Sequence, residues 1–323
     1  MNWKVKKLEG NLEVDRRGFM RSIFGLGLST SASATAPEAS AATKGKPAFF
    51  WCDLKNGNVG FPTGFNVPVE RPGSLVKVVA MAALIDEGNF NTNEEHECTG
   101  TYKVPGSGNR AGLTVHCQYV HGRIDIVRAL AVSCNCFFAQ ATKRLTSRAF
   151  LDKARALGLA SPVAGKPPGQ FPADAHAGSS LPYVLGLAED FKPSCLQLMR
   201  LAALIGVGPH GQLPVLHSAE NLDLVQKEKP LKVALTERSH ELITRGMRLC
   251  ATEGTAKKLD PKDKLHVAAK TGTTPHGAKF QSHIIGFFPY DKPRNAFCLF
   301  APAGTSQDSA VPSAREILLS TTW

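Results

Sequence analysis

Beyond a weakly apolar segment near its start, the chain has no run that approaches the roughly 18 uninterrupted apolar residues of a membrane-spanning helix. It has no internal repeat, and no lysine- and arginine-rich run interleaved with aromatic residues. The formal net charge of +11 is therefore interpreted as a solvated, mildly basic surface, and no nucleic acid partner is expected. With 323 residues, 43% of them hydrophobic, the chain can form one large domain or two small ones around a substantial core.

No two of the eight cysteines stand in the Cys-x-x-Cys spacing that is typical of zinc sites. The sequence therefore predicts neither a bound metal nor another cofactor. Cys98 and Cys117 bracket a glycine-rich segment that reads as a turn. In an oxidising compartment these two are the best candidates for a disulfide bond. We expect the other six to be small buried hydrophobic residues.

Residues 1–41 have the features of an export signal. Residues 15–21 read DRRGFMR and resemble a twin-arginine signal, and a weakly apolar segment follows at 22–36. The small residues at 39–41, Ala-Ser-Ala, suit a signal peptidase. We therefore expect residues 42–323 to form one mature domain in the periplasm or elsewhere outside the cytoplasm. The alternatives are a disordered basic tail and an uncleaved signal that tethers the protein to the membrane.

Strand-like patterns stand at both ends of this domain, with helical patterns between them. Strands are predicted at 48–54, 59–61, 266–274, 283–289 and 295–302, the first two joined by a hairpin turn. Helices are predicted at 74–85, 124–132, 135–145, 147–157, 193–205, 236–250 and 312–321. The order predicts an α+β fold: one antiparallel sheet built from N- and C-terminal strands, flanked by helices and carrying a helical insert.

Ser74 and Lys77 form a Ser-x-x-Lys motif at the start of a predicted helix that is apolar nearly all round. Positions i and i+3 share a helix face, so the two side chains point the same way. A serine hydroxyl needs a base to become an effective nucleophile, and a lysine can be that base when burial or a nearby cation lowers its pKa. Because the motif also arises by chance, the competing interpretation is a helix-start serine beside a lysine that reaches solvent.

A second motif, Ser133-Cys134-Asn135, interrupts the predicted helices. It is either a break whose serine caps the following helix, or a functional motif. In the functional interpretation, Ser133 relays a proton to the leaving amine and Asn135 hydrogen-bonds the substrate backbone.

A third motif, Lys270-Thr271-Gly272-Thr273, ends a predicted strand whose alternation places Lys270 and Gly272 on one face. Lys270 would supply positive charge, the two threonine hydroxyls would bind a carboxylate, and Gly272 would let another element approach closely. The backbone N–H groups of Thr273 and Ser74 would form an oxyanion hole. The competing interpretation is a strand followed by a polar turn.

The three motifs in this order resemble the transpeptidase domain of penicillin-binding proteins. The similarity extends from residue 49 to residue 304, with further family-like runs at 71–74, 121–135, 246–256 and 282–289. The resemblance implies that Ser74 is the acylated nucleophile, that Lys77 is its base and that Ser133 is the proton shuttle. It also implies that Asn135 contacts the substrate. The carboxylate and oxyanion site would consist of Lys270, Thr271, Gly272 and Thr273.

By the same resemblance, the substrates would be D-alanyl-D-alanine ends of peptidoglycan stem peptides, and β-lactams would act as inhibitors. The favoured function is a D,D-transpeptidase that crosslinks peptidoglycan. The alternatives are a D,D-carboxypeptidase, in which water replaces the acceptor amine, and a class D β-lactamase. Asn135 disfavours the lactamase, because that family usually has a hydrophobic residue there. A non-catalytic β-lactam sensor or wall-binding module is the option from another class. A membrane contact is expected only through an uncleaved signal.

Overall fold

The computed structural model describes residues 46–62, 67–87, 90–106, 112–173, 179–218, 220, 222–225 and 228–323. The predicted signal at 1–41 lies outside these residues. Across the described ranges, no helix combines the length and the apolar character needed to cross a membrane.

The strands form one large antiparallel sheet and three small two-stranded ones. In chain order they are β1 (Ala48–Asp53), β2 (Val59–Gly60), β3 (His96–Cys98), β4 (Thr101–Val104), β5 (Leu113–His116), β6 (Gly122–Ile124), β7 (Gln212–Leu213), β8 (Leu231–Lys232), β9 (Ala268–His276), β10 (Lys279–Phe288) and β11 (Asn295–Ala301). The large sheet has the order β2-β1-β11-β10-β9. Strands from both ends of the domain therefore build it together, which confirms the predicted architecture.

The predicted helices are all present, with ends that differ by a few residues. In chain order the α-helices are α1 (Lys77–Asp86), α2 (Ile126–Ala131), α3 (Asn135–Ala141), α4 (Ser147–Ala156), α5 (Leu181–Val184), α6 (Cys195–Val207), α7 (Glu237–Thr252) and α8 (Val311–Ser320). A 3₁₀ turn at Gly73–Val76 leads into α1, and a π-helical turn at Ser306–Ala310 leads into α8.

Successive residues of the central strands alternate between two apolar cores, one on each face of the sheet. Ile285 of β10 and Cys298 of β11 belong to the core that also contains α1 and α6. Ile284 and Leu299, their neighbours in sequence, belong to the core that is closed by α8. A sheet covered on both faces explains why its C-terminal strands read as almost continuous apolar runs.

The segment between Cys98 and Cys117 was predicted to be a turn, but it contains the hairpin of β4 and β5. The predicted disulfide between these two cysteines is not formed in the structure, where both are free thiols. Their sulfurs contact other groups: Cys98 Sγ lies 3.3 Å from His121 Nδ1, and Cys117 Sγ lies 3.7 Å from the sulfur of Cys134.

Candidate active site

The 3₁₀ turn that contains Ser74 leads into α1 and is fixed by a hydrogen bond to a distant segment. Gly73 adopts a φ of 55°, which L-residues rarely adopt, and its N–H donates to the carbonyl of Gly186 at 3.0 Å. Ser74 is half-buried, whereas Lys77 has an exposure of 0%. The helix therefore presents a partly accessible hydroxyl one turn before a fully buried ammonium group.

Lys77 connects the first motif to the second. Its Nζ donates to Asn135 Oδ1 at 2.6 Å and to the Ser133 carbonyl at 2.8 Å, and lies 3.4 Å from Ser133 Oγ. Among the described residues it forms no hydrogen bond to Ser74 Oγ. Burial lowers the pKa of Lys77 to about 8, although the nearby thiol groups of Cys117, Cys134 and Cys136 oppose the shift.

Lys270 approaches Ser133 from the other side. Its Nζ donates to Ser133 Oγ at 2.9 Å and to the carbonyl of Thr271 at 2.9 Å. Burial lowers the pKa of Lys270 to about 7; the charge of Lys77 adds to this effect, and Cys250 opposes it. The Ser133 hydroxyl thus lies between two buried lysines that lose their protons far more readily than an exposed lysine does.

Ser133 occupies the predicted break between α2 and α3, and its backbone is strained. Its φ of 56° lies in the left-handed region, which costs a non-glycine residue roughly 1–2 kcal/mol. The next helix is capped by Cys134, whose sulfur accepts the N–H of Phe137 at 3.3 Å. Backbone strain of this kind is concentrated at functional sites, where the surrounding packing enforces it.

Gly272 brings the third motif against the turn that contains Ser74. A Cβ at this position would lie 2.7 Å from the Pro72 carbonyl oxygen and 3.0 Å from Leu75 Cγ. No side chain larger than hydrogen fits without movement, so the predicted close approach is confirmed. β9, which carries Gly272, is an edge strand of the sheet, and the face that Gly272 shares with Lys270 packs against the turn that contains Ser74.

The two threonines of the third motif differ, although the sequence suggested the same role for both. Thr271 is buried, and its Oγ1 lies 2.6 Å from Thr255 Oγ1. Thr273 is half-buried, and its Oγ1 accepts the N–H of Ser306 at 3.0 Å. The Thr273 hydroxyl proton therefore remains available to an incoming acceptor, while the Thr271 hydroxyl has a partner inside the protein.

Thr255, Ser306 and Gln307 border the site but were given no role from the sequence. Gln307 Nε2 donates to the Thr255 carbonyl, so the π-helical turn is tied to the loop that supports Thr271. The family-like run at 246–256 contained Thr255 and was the available signal. Ser306 and Gln307 carry no motif that would have revealed them.

A cluster of sulfur and imidazole groups lies directly behind the second motif. The donor atoms of Cys98, Cys117, His121 and Cys134 all lie within 4.8 Å of one another. The Asn135 N–H donates to Cys117 Sγ at 3.1 Å, which joins this cluster to the second motif. The sequence-based expectation that no metal site exists rested on spacing along the chain and did not anticipate the convergence of these residues.

Comparison with known families agrees with this arrangement of motifs. The family model described as "Penicillin binding protein transpeptidase domain" matches residues 68–319, which is most of the chain. Among curated proteins, none matches the chain in sequence.

Solved structures share the fold at low sequence identity. The penicillin-binding protein PBP2 of Helicobacter pylori, solved in a complex with MreC, superposes with a TM-score of 0.68 at 18% identity and covers 85% of this chain. This chain covers 60% of that protein. Penicillin-binding protein A of Mycobacterium tuberculosis, solved as a ceftriaxone acyl-enzyme, superposes with a TM-score of 0.68 at 18% identity, and the match covers 84% of this chain and 72% of that one. The transpeptidase domain of Burkholderia pseudomallei penicillin-binding protein 3 superposes with a TM-score of 0.69 at 15% identity, and the match covers 84% of this chain and 86% of that one.

Proposed function

Because this chain belongs to the family of penicillin-binding protein transpeptidase domains, we propose that it is a serine acyl-transfer enzyme acting on peptidoglycan stem peptides. Its substrates would be D-alanyl-D-alanine ends, and β-lactams would acylate the same serine. One observation carries this proposal: Ser133 Oγ lies 3.4 Å from Lys77 Nζ and 2.9 Å from Lys270 Nζ, and Lys77 directly follows the turn that contains Ser74.

Acylation begins at Ser74. Neutral Lys77 takes the hydroxyl proton while Ser74 Oγ attacks the carbonyl of the scissile peptide bond, and a tetrahedral intermediate forms. The negative charge that develops on the carbonyl oxygen is stabilised by the backbone N–H groups of Ser74 and Thr273. Ser133, which accepts a hydrogen bond from Lys270 and lies next to Lys77, gives its hydroxyl proton to the leaving D-alanine amine and takes a proton from Lys77 in exchange, so that Lys77 is neutral again. The product is a Ser74 ester.

Substrate recognition uses the edge of the sheet. The outer side of β9 offers backbone groups with which an extended peptide can pair as an additional strand. Lys270 and the Thr273 hydroxyl bind the terminal carboxylate, and the Asn135 amide contacts the peptide backbone. The Asn135 side chain is held for this role, since Oδ1 accepts from Lys77 and Nδ2 donates to the His116 carbonyl at 2.8 Å.

The ester is resolved by an acceptor amine in the transpeptidase reaction, or by water in the carboxypeptidase reaction. We favour transpeptidation because the matching family is that of transpeptidase domains. The polar Asn135 in the lysine network disfavours a class D β-lactamase. The convergence of both lysines on Ser133 disfavours a non-catalytic module, because a wall-binding surface needs no buried lysine with a lowered pKa.

The site of action is proposed to be outside the cytoplasm, after export by the twin-arginine route. The support is the DRRGFMR run at 15–21 and the small residues at 39–41. A processing test is direct: the N-terminus of the protein recovered from its native cell begins near residue 42 if the signal is cleaved.

A pulse-chase with labelled penicillin tests the proposed function. Wild-type protein is expected to retain the label during the chase, and Ser74→Ala to take up none. Ser320→Ala, at an exposed serine of α8, is the matched control and labels like the wild type. Rapid release of hydrolysed penicillin would identify a β-lactamase, and absence of labelling in folded wild-type protein would refute the acyl-transfer proposal.

Product analysis separates the two peptidase reactions. A D-Ala-D-Ala stem peptide is incubated with and without an acceptor amine, and the products are identified by mass spectrometry. Crosslinked product that requires the acceptor supports the transpeptidase. Trimmed peptide alone, formed at the same rate with and without the acceptor, would identify the carboxypeptidase.

A further inference from the structure

Three cysteines and one histidine that are distant in sequence converge behind the Ser133 turn. Cys98 ends β3, Cys117 follows β5, His121 precedes β6 and Cys134 caps α3. All four donor atoms lie within 4.8 Å of one another. Separate elements of the fold therefore deliver soft donor groups to one point, which is the arrangement of a tetrahedral thiolate–imidazole metal site.

Two of the six separations between the donor atoms match those around a tetrahedral ion. With Zn–S bonds of about 2.3 Å and Zn–N bonds of about 2.0 Å, tetrahedral geometry places two sulfurs about 3.8 Å apart, and a sulfur and a nitrogen about 3.5 Å apart. The Cys117 and Cys134 sulfurs are 3.7 Å apart, and Cys98 Sγ is 3.3 Å from His121 Nδ1. A disulfide would require sulfurs about 2.05 Å apart.

The surroundings of the cluster suit thiolate ligands. Cys98 and Cys134 have exposures of 0%, His121 is 7% exposed and Cys117 is half-buried, so most of the centre is shielded from solvent. Cys117 Sγ accepts the N–H groups of Asn135 at 3.1 Å and Cys136 at 3.3 Å. Hydrogen bonds of this kind to a coordinating sulfur are the usual outer support of a metal–thiolate centre.

The same contacts join the cluster to catalysis. Cys134 lies between Ser133 and Asn135, and its sulfur also accepts the N–H of Phe137 at 3.3 Å. Two sulfurs of the cluster thus fix the backbone on both sides of Asn135, next to the left-handed φ of Ser133. An ion that ties Cys134 to Cys98, Cys117 and His121 would hold this strained turn in one conformation.

We propose that Cys98, Cys117, His121 and Cys134 bind one Zn²⁺ ion, and that the bound ion positions Ser133 and Asn135 for acylation. Three Zn–S bonds and one Zn–N bond form, the thiol protons pass to solvent, and no electron transfer is required. Zinc fits because it favours tetrahedral sets of cysteine and histidine. The positioning half of the proposal rests on the proposed function; the binding half does not.

Zinc content tests the binding half. The full chain is purified without chelators, and its metal is measured by elemental mass spectrometry. We expect about one zinc per chain in the wild type, and less than about one tenth of that in Cys117→Ser and His121→Ala. Cys52→Ala is the matched control, because Cys52 is equally buried but lies in β1 of the large sheet, and this variant keeps its zinc.

Two outcomes would overturn the binding half. One is wild-type protein that contains no zinc and takes up none after chelation and refilling, with an intact mass two hydrogens lower because a Cys98–Cys117 disulfide has formed. The other is full zinc content in Cys117→Ser. Refilling of the chelated wild type needs no variant, so it also decides the question if the variants fail to fold.

Acylation by labelled penicillin tests the positioning half. Removing zinc from the wild type is expected to lower the acylation rate about 10- to 100-fold, and adding Zn²⁺ back to restore it. Acylation that is unchanged in zinc-free protein would overturn the positioning role. Protein that binds zinc but is never acylated, loaded or stripped, would refute the proposed function and leave the metal site standing. Ser74→Ala should keep its full zinc content while losing acylation.

Discussion

Lys270 Nζ donates a 2.9 Å hydrogen bond to Ser133 Oγ, although the two residues are 137 positions apart in the chain. The contact forms because the edge strand of the large sheet meets the break between α2 and α3. Lys77 completes the group from the first turn of α1, since its Nζ also donates to the Ser133 carbonyl. One serine hydroxyl is thereby placed between the amino groups of two buried lysines.

The rate of acylation should depend on pH in a bell-shaped manner. Burial lowers the pKa of Lys77 to about 8 and that of Lys270 to about 7. Below both values the two lysines are protonated and no base is present, so the rate rises as the pair loses its first proton. Above both values no ammonium remains to bind the carboxylate, so the rate falls. Because Lys270 has the lower pKa, the reactive form, with neutral Lys77 and protonated Lys270, is the minor one of the two singly protonated forms. Since both lysines contact Ser133, the two limbs belong to the pair and not to either residue.

Stopped-flow acylation by a penicillin, from about pH 5 to about pH 10, measures this profile. Circular dichroism at each pH is the control for unfolding. A rate that keeps rising up to pH values near the pKa of an exposed lysine, about 10.4, would contradict the lowered values.

We expect the Ser133 hydroxyl to speed acylation and the strained Ser133 backbone to lower the stability of the fold. Ser133→Ala and Ser133→Gly both remove the hydroxyl, and we expect each to lower the acylation rate about 10²- to 10⁴-fold. Only glycine relieves the φ of 56°, so Ser133→Gly should be more stable than Ser133→Ala by about 1 kcal/mol. Urea unfolding of the two variants gives the difference. Equal stabilities would show that the turn carries no backbone strain.

We expect Gly272→Ala to push the turn that contains Ser74 away from β9 and so to lower the acylation rate. The added methyl group would meet the Pro72 carbonyl at 2.7 Å and Leu75 Cγ at 3.0 Å, so the turn must move. A displacement near 1 Å at a reacting group costs about 100-fold in rate, and overpacking costs about 1–3 kcal/mol of stability.

The matched control is Gly277→Ala, at the tip of the same hairpin. Its φ is 56° and no atom lies within 4 Å of an added Cβ, so it loses some stability but keeps its acylation rate. Equal acylation rates for the two variants would argue against the contact between Gly272 and the turn that contains Ser74.

Thr271 and Thr273 should respond differently to valine substitution. Thr273→Val removes a hydroxyl that is free to donate to the substrate carboxylate. A hydrogen bond to a charged group contributes about 1.5–3 kcal/mol, so we expect the second-order rate constant of acylation to fall about 10- to 100-fold. Thr271→Val breaks the 2.6 Å contact with Thr255 and should mainly lower stability, by about 1 kcal/mol. The reverse order of effects on the rate constant would contradict these side-chain environments.

The sequence predicted the sheet and the helices because their signals are local. The alternation in β10 and β11, the apolar run of α1 and the hairpin after β1 each extend over a few neighbouring residues. Roles could be assigned to the three motifs because each motif places its functional groups within four consecutive residues.

The features that the sequence did not predict depend on contacts between distant segments. The Thr271 hydroxyl finds its partner in the loop after α7, and Cys98 and Cys134 reach the same cluster from β3 and the start of α3. Spacing rules for zinc sites describe ligands that are close in sequence, so they do not apply to this set. The left-handed φ of Ser133 likewise arises from packing around the break, and serine has no strong preference for that conformation.

We propose Ser74 as the residue that becomes acylated. The direct measurement is peptide mapping by mass spectrometry after reaction with a β-lactam. We expect one adduct per chain, on the peptide that contains Ser74, with fragment ions that place the added mass on that side chain. An adduct on Ser133, on a cysteine of the cluster or on any other residue would contradict it.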